Sequence, residues 1–180
     1  MAKQLKNAAA FKANKLMFRV TPEYVFFWKS LFSQWYPSEF ILGDFTYNCA
    51  EQYMMDYKAL YFNDTASSDK IRLSDSPAEM QKLGRLVKNF NPKEWDAVKL
   101  STVVVANYEK FTQNKDLKEI LLSTGDKILV EGSPYDSIWG IGLAWDNRLI
   151  DDPANWQGQN LLGKALMTVR EMIQNETGNF

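Results

Sequence analysis

The sequence contains no histidine and a single cysteine, Cys49. The absence of histidine excludes the Ser-His-Asp and Cys-His arrangements of many hydrolases, an imidazole general base and histidine-ligated zinc. One cysteine can form neither an internal disulfide nor a CxxC motif, which fits a reducing compartment, so we expect a cytoplasmic protein. Catalysis, if present, must use carboxylates, Lys, Tyr, Ser or Thr side chains, or a borrowed cofactor.

Long apolar runs are also missing. No stretch of 18 apolar residues is present, so no transmembrane helix or membrane partner is expected, and the N-terminus lacks the apolar core of a signal peptide. With 21 Lys and Arg against 22 Asp and Glu, the formal net charge is -1. This balance argues against a globally basic nucleic-acid-binding protein, although a local basic patch is still allowed.

What is abundant is aromatic surface, since 14% of the 180 residues are Phe, Tyr or Trp. The length suits one domain, which we place at residues 23–176, preceded by a basic extension at 1–22. We interpret the extension as a solvated segment; a transit peptide and a phosphate-contacting arm are the alternatives. The first twenty residues contain no acid and five bases, Lys3, Lys6, Lys12, Lys15 and Arg19.

The periodicity of the domain predicts a mainly helical α+β fold with a few short strands. Helix signals are clearest at Ser76-Pro77-Ala78-Glu79, a capping box, at Asn91-Pro92 and at Asn160, which resembles an N-cap. Four strands are predicted: 23–28, 40–42, a short one that follows the turn at 43–44, and 127–131. Helices are predicted at 48–62, 67–73, 76–90, 92–111, 115–123 and from 160 onward.

Two residues on the first predicted helix could act on one ligand. Glu51 and Lys58 are seven positions apart, so they point to the same side of a helix with their Cα atoms about 10 Å apart. A carboxylate and an ammonium on an otherwise apolar side need partners or a polar cavity. The spacing alone favours the alternative that both are surface residues beside a core stripe.

Other segments have a similar ambiguity. Asp136 precedes Trp139 and the Gly140-Ile141-Gly142 run, and this loop could hold a hydroxylated ring or simply be packed in the core. Arg85 could bind phosphate or be an exposed cation at a helix end. The aromatic loop at 32–37 could wall a nucleobase site or form a corner of the core. We interpret Asp151-Asp152 as a solvated turn rather than a metal site.

Together and in this order, the segments resemble the NADAR superfamily, also called the YbiA-like family, over about residues 23–173. The matching stretches are 32–37 (FSQWYP), 51–54 (EQYM) with Lys58-Ala59, 83–85 (LGR), Trp95, 110–114 (KFTQN), 121–125 (LLSTG), 136–142 (DSIWGIG) and 160–163 (NLLG).

The resemblance implies a compact, mainly helical fold and metal-independent N-glycosidase activity on a bond between ribose C1 and nitrogen, with no cofactor. It implies Glu51 as the carboxylate that activates water or stabilises the sugar cation, and Asp136 as the residue that orients the ribose or acts as a second carboxylate. Lys58 and Arg85 would anchor phosphate. The substrate-binding residues that it implies are Lys58, Arg85, Trp139, Trp35, Phe32, Gln34, Gly140 and Asn160.

The sequence leaves the substrate and two alternatives open. The family includes enzymes acting on ribosylamino-pyrimidine phosphates of riboflavin biosynthesis and others linked to NAD or ADP-ribose metabolism. Gln52, Gln34 and Gln81 stand where the family commonly has His, Asn and Lys, so a binding module that holds ADP-ribose or NAD without cutting it is one alternative. The other is an eraser of ADP-ribose from guanine in DNA, favoured only by the basic extension. The oligomeric state is not predicted.

Overall fold

The computed structural model describes residues 18–177. Their elements are β1 (Phe18–Val20), β2 (Tyr24–Phe27), β3 (Phe40–Leu42), β4 (Phe45–Tyr47), α1 (Ala50–Tyr61), α2 (Thr65–Leu73), α3 (Pro77–Arg85), α4 (Pro92–Gln113), α5 (Lys115–Ser123), β5 (Ile128–Glu131), a 3-10 turn (Pro153–Asn155) and α6 (Leu161–Thr177). The predicted class, a mainly helical α+β domain with short strands, is confirmed. No helix in this range is both long and apolar enough to cross a membrane.

The sheet has three strands in the order β1-β2-β5. β1 pairs antiparallel with β2, and β2 pairs parallel with β5, with Val25 opposite Leu129 and Phe27 opposite Glu131. The central residues of β2 and β5 are buried on both faces, which explains their nearly continuous apolar sequence. β1 lies within the range predicted as an extension, whereas residues 1–17 fall outside the described residues. A separate hairpin joins β3 and β4.

Helix α1 lies at the centre of the helical part. It packs against α2, α3 and α4, while α4 packs along α6 and α6 covers β5. Its buried side combines apolar residues with Glu51, Gln52, Asp56 and Lys58. A helix that buries four polar side chains needs partners for them, so this helix indicates where to look for function.

Local signals explain most helix boundaries. The Ser76 hydroxyl accepts a hydrogen bond from the Glu79 backbone N–H, as the capping box predicts, but the Glu79 carboxylate accepts from the Ser74 hydroxyl. The N-cap of α1 is Cys49, one residue after the predicted Asn48. α3 ends at Arg85, earlier than the predicted 88–90. A reverse turn at 86–90 then leads to Asn91, which caps α4.

Candidate active site

Glu51 lies in the first turn of α1 with only 3% of its surface exposed. Its backbone N–H donates to the Gln34 carbonyl at 3.0 Å, while its Oε1 atom has no hydrogen-bond partner among the described residues. Burial raises the pKa of this carboxyl from 4.5 to about 8, and a hydrogen bond from the Trp35 indole opposes the rise. Asp136 raises the pKa further, whereas Arg85 and Lys58 lower it. A buried carboxyl with an unpartnered oxygen is suited to acid–base chemistry.

Lys58 is the buried cation of the site. Its Nζ donates to the Gly84 carbonyl at 2.8 Å and lies 4.0 Å from the centre of the Phe90 ring. Burial and the neighbouring Arg85 lower the pKa of Lys58, and Glu51 opposes this effect. The electrostatic interaction between Lys58 and Glu51 agrees with the seven-residue spacing, which predicted that both face one side of α1.

Arg85 is the exposed cation, at the C-terminal end of α3. Its Nη2 donates to the Gln81 side chain at 2.9 Å, which orients the guanidinium along the helix. The preceding Gly84 explains how α3 comes so close to α1: a Cβ atom at this position would lie 2.0 Å from Sδ of Met55. A glycine here therefore brings the carbonyl that accepts from Lys58, and Arg85 after it, next to α1.

Asp136 lies on a loop that folds over the end of the sheet. Asp136 Oδ1 accepts hydrogen bonds from the backbone N–H groups of Ile138 at 2.9 Å and Trp139 at 2.8 Å. These bonds fix the turn and leave the second carboxyl oxygen outside it. Gly140 is buried, and a Cβ there would lie 2.9 Å from the Glu131 carbonyl, so glycine lets the loop fold over the end of β5. Trp139 is partly buried and packs against the main core.

Glu131 is a site residue that sequence reasoning missed. It ends β5, and burial raises the pKa of its carboxyl to about 8, with further increases from Asp136 and Glu51. Three carboxyl groups therefore interact at the site. The sequence signal was an acid that closes an apolar strand directly before Gly132, which we interpreted only as a strand end. Among residues 18–177, no group of three or more acids or cysteines is arranged to hold a metal ion.

Three predicted substrate-binding residues lie elsewhere or are already hydrogen-bonded. Phe32 is completely buried between Phe27 and Phe111, so in this structure it is a core residue and cannot stack on a ligand. Gln34 is buried, with its side-chain oxygen accepting from Asn107 at 2.8 Å. Asn160 uses its amide to hold β5, donating to the Leu129 carbonyl at 2.9 Å and accepting from the Glu131 backbone N–H at 3.0 Å. Asn160 stands at the predicted N-cap position, since its carbonyl accepts from the Lys164 backbone N–H at 3.0 Å, but its side chain bonds β5 instead of the first turn and its φ is +52°.

Comparison with known proteins identifies the family. The sequence profile described as the NADAR domain matches residues 26–174. The chain belongs to the NADAR family. It is 45% identical over 168 residues to an N-glycosidase of Acanthamoeba polyphaga mimivirus, covering 86% of this chain and 98% of that protein. It is 29% identical over 142 residues to a riboflavin biosynthesis protein of Vibrio vulnificus, covering 79% of this chain and 35% of that protein. The NMR structure of Escherichia coli YbiA superposes with a TM-score of 0.74 at 25% identity, covering 93% of this chain and 95% of YbiA.

All three glutamines that depart from the common NADAR pattern make local hydrogen bonds. Gln52, which stands at the usual His position, is buried and donates to the carbonyls of Ile71, Arg72 and Ser74, so it holds the end of α2. Gln81 accepts from Arg85 and so orients that cation. The third, Gln34, is the buried partner of Asn107 described above. Each of the three glutamine side chains therefore has a hydrogen-bond partner within the fold.

Proposed function

We propose that the chain hydrolyses the bond between ribose C1 and nitrogen in a phosphorylated ribosylamine. It is a hydrolase of N-glycosyl bonds, in agreement with the name of its mimivirus relative. The observation that carries the proposal is the buried Glu51 carboxyl, which has an unpartnered oxygen and a pKa near 8 and interacts electrostatically with two cations and two further carboxyls. The riboflavin biosynthesis protein of Vibrio vulnificus supports the ribosylamine class.

The chemistry needs a carboxylate at the sugar. As the C1–N bond breaks, its electron pair leaves with the nitrogen and positive charge builds up on C1 and the ring oxygen, as in glycoside hydrolysis. Ionised Glu51 stabilises this cation and accepts a proton from the attacking water, whose oxygen forms the new bond to C1. The departing nitrogen takes up a proton from solvent, and Glu51 releases to solvent the proton that it accepted, so one water is consumed and the products are a free base and a ribose phosphate.

The remaining residues bind and orient the substrate. Arg85 has exposed guanidinium donors that can bind a phosphate through two parallel hydrogen bonds, and Lys58 adds positive charge behind it. The free oxygen of Asp136 can accept a bond from a ribose hydroxyl. Trp35 is 42% exposed and interacts with Glu51, so its ring can stack on the base or sugar next to the reacting bond. Two cations balance the charge of one phosphate monoester and of a pyrophosphate equally, so the choice of the ribosylamine over an ADP-ribosyl adduct rests on the riboflavin biosynthesis relative.

A hydrolysis panel followed by mass spectrometry tests the proposal. The panel contains ribosylamino-pyrimidine phosphates, NAD, ADP-ribose and ADP-ribosylated guanosine, each incubated with the wild type, Glu51→Gln or Glu119→Gln. Glu119 is an exposed acid on α5 and is the matched control. We expect free base from a pyrimidine phosphate, about 10²–10⁴-fold less with Glu51→Gln, and no loss with the control. Undiminished turnover by Glu51→Gln would refute its role, and binding without cleavage across the panel would favour a binding module.

A further inference from the structure

We propose that Lys110 is a positioning residue that fastens the aromatic loop, taken here with the two residues before it (30–37), so that the loop stays against Glu51 at the start of α1. The consequence for catalysis rests on the proposed function, but the positioning itself does not. Lys110 lies on α4, outside the groups that would touch the substrate, and no step of the mechanism uses it.

Burying the Lys110 side chain at this position costs free energy because its ammonium group loses its hydration. It is completely buried, and this burial lowers the pKa of its ammonium group to about 7. Its Nζ donates to two backbone oxygens of the aromatic loop, Leu31 O at 2.7 Å and Ser33 O at 3.0 Å. A methionine of similar length would fill the same space without desolvating a charge. The two bonds to the loop are what the lysine provides and a methionine would not.

A second contact fastens the same loop one residue further on. Asn107, one turn earlier on α4, donates to the Gln34 side-chain oxygen at 2.8 Å. The Gln34 carbonyl in turn accepts from the Glu51 backbone N–H at 3.0 Å. Three loop residues in the stretch 31–34 are thus attached to helices, and Trp35 is the next residue.

Trp35 connects the loop to the carboxyl group. Its indole hydrogen bond lowers the pKa of Glu51 against the effect of burial. The other charged groups that act on Glu51 are Lys58 on α1, Arg85 on α3, Asp136 on its loop and Glu131 on β5. None of these four groups is hydrogen-bonded to Lys110. Losing Lys110 would therefore change Glu51 through the loop contacts, which are the Trp35 indole and the Gln34 carbonyl, and through Cys49, which interacts with both Glu51 and Lys110. We therefore expect Glu51 to ionise at higher pH when Lys110 is lost.

The test measures this ionisation without using activity. The full chain is labelled with 5-fluorotryptophan, and the ¹⁹F signals of its six Trp residues are followed from pH 6 to 10.5. Trp35→Phe assigns the Trp35 signal, and Glu51→Gln shows which inflection belongs to Glu51. In the wild type we expect an inflection near pH 8. In Lys110→Met we expect it to disappear or to move up by about one pH unit, the size expected for losing one hydrogen bond to a carboxylate.

The control is another buried cation that binds backbone. Arg170 on α6 donates to the Thr124 hydroxyl at 2.8 Å and to the Lys127 carbonyl at 2.9 Å, away from the aromatic loop. Arg170→Met should lower stability and keep the wild-type inflection. An unchanged inflection in Lys110→Met, or an equal shift in Arg170→Met, would overturn the proposal. If Lys110→Met does not fold, Lys110→Gln replaces the lysine by an uncharged side chain that is one atom shorter, and an unchanged inflection there overturns the proposal equally.

An active wild type is not required for this readout. If the hydrolysis panel is silent while the inflection moves as expected, the proposed function fails and the positioning role of Lys110 stands. If the panel gives product while the inflection is unchanged, the proposed function stands and the positioning role of Lys110 fails.

Discussion

Replacing the proposed catalytic carboxylate should make the protein more stable, and increasingly so as the pH rises. Glu51 is buried with an oxygen that has no hydrogen-bond partner, so its ionised form is poorly solvated in the folded chain and well solvated in the unfolded chain. Glu51→Gln keeps the shape of the side chain and removes the charge. The variant therefore approximates the protonated wild type at every pH.

The magnitude follows from the proton affinities of the two states. The pKa of Glu51 is about 8 in the folded chain and 4.5 as an ordinary glutamic acid. Because the folded pKa is the higher one, the stability associated with protonated Glu51 is fully present below pH 4.5 and is lost as the pH rises through 8. Each tenfold change in proton affinity is worth about 1.4 kcal/mol, so the loss is about 1 kcal/mol at pH 5 and about 4–5 kcal/mol at pH 9.

Urea unfolding at pH 5 and pH 9 measures the difference. We expect the free energy of unfolding of Glu51→Gln, relative to wild type, to increase by about 4 kcal/mol between the two pH values. Glu119→Gln, an exposed substitution of the same type, should behave like wild type at both. A change below about 1 kcal/mol for Glu51→Gln would show that the folded carboxyl ionises normally, which would refute the basis of its role.

Other predictions concern the rate, the phosphate contact and the close packing behind it. If ionised Glu51 is the active form, kcat/KM should rise with pH to a midpoint near 8; a profile flat from pH 6 to 9 would contradict this. Lys58→Met should raise KM for a ribosylamine phosphate more than it lowers kcat, and an unchanged KM would remove Lys58 from substrate binding. Gly84→Ala should lower the free energy of unfolding by about 1–3 kcal/mol because its Cβ meets Met55, whereas unaltered urea unfolding would contradict the packing. Phe32→Leu should lower the thermal midpoint and leave KM unchanged, because Phe32 is a core residue; a raised KM would return it to the site.

Elements with strong local signals could be predicted from the sequence. β3 and α5 lie at the predicted residues, 40–42 and 115–123, because turn and cap residues bound them, and Gly125 after α5 has the expected positive φ of +57°. α4 begins at Pro92 after an Asn91 cap for the same reason. β1 was not predicted, because a three-residue strand is defined by its partner β2 and not by its own composition.

The site could be predicted only in part, because side-chain direction depends on long-range packing. The seven-residue spacing of Glu51 and Lys58 determined their shared side without any knowledge of the fold. Phe32 and Trp35, three residues apart in one aromatic loop, have opposite environments, since one is fully buried and the other is 42% exposed. No local sequence feature distinguishes the two residues. Their difference in burial comes from the attachment of the loop to α4. Glu131 was missed because its neighbours at the site come from α1 and from the Asp136 loop.

The balance of charge at the site supports catalysis over simple binding. Three carboxyls, on Glu51, Glu131 and Asp136, interact at the site with two cations, and the buried cation, Lys58, is already hydrogen-bonded to the Gly84 carbonyl. A site that only holds an anionic nucleotide has no need of these acids; with pKa values near 8, Glu51 and Glu131 are mostly protonated at neutral pH and repel phosphate only when ionised. The acids are useful when positive charge develops on the sugar, since buried carboxylates then interact with the transition state more strongly than with the ground state. The raised pKa values of Glu51 and Glu131 are thus the ground-state cost of a site complementary to a cation.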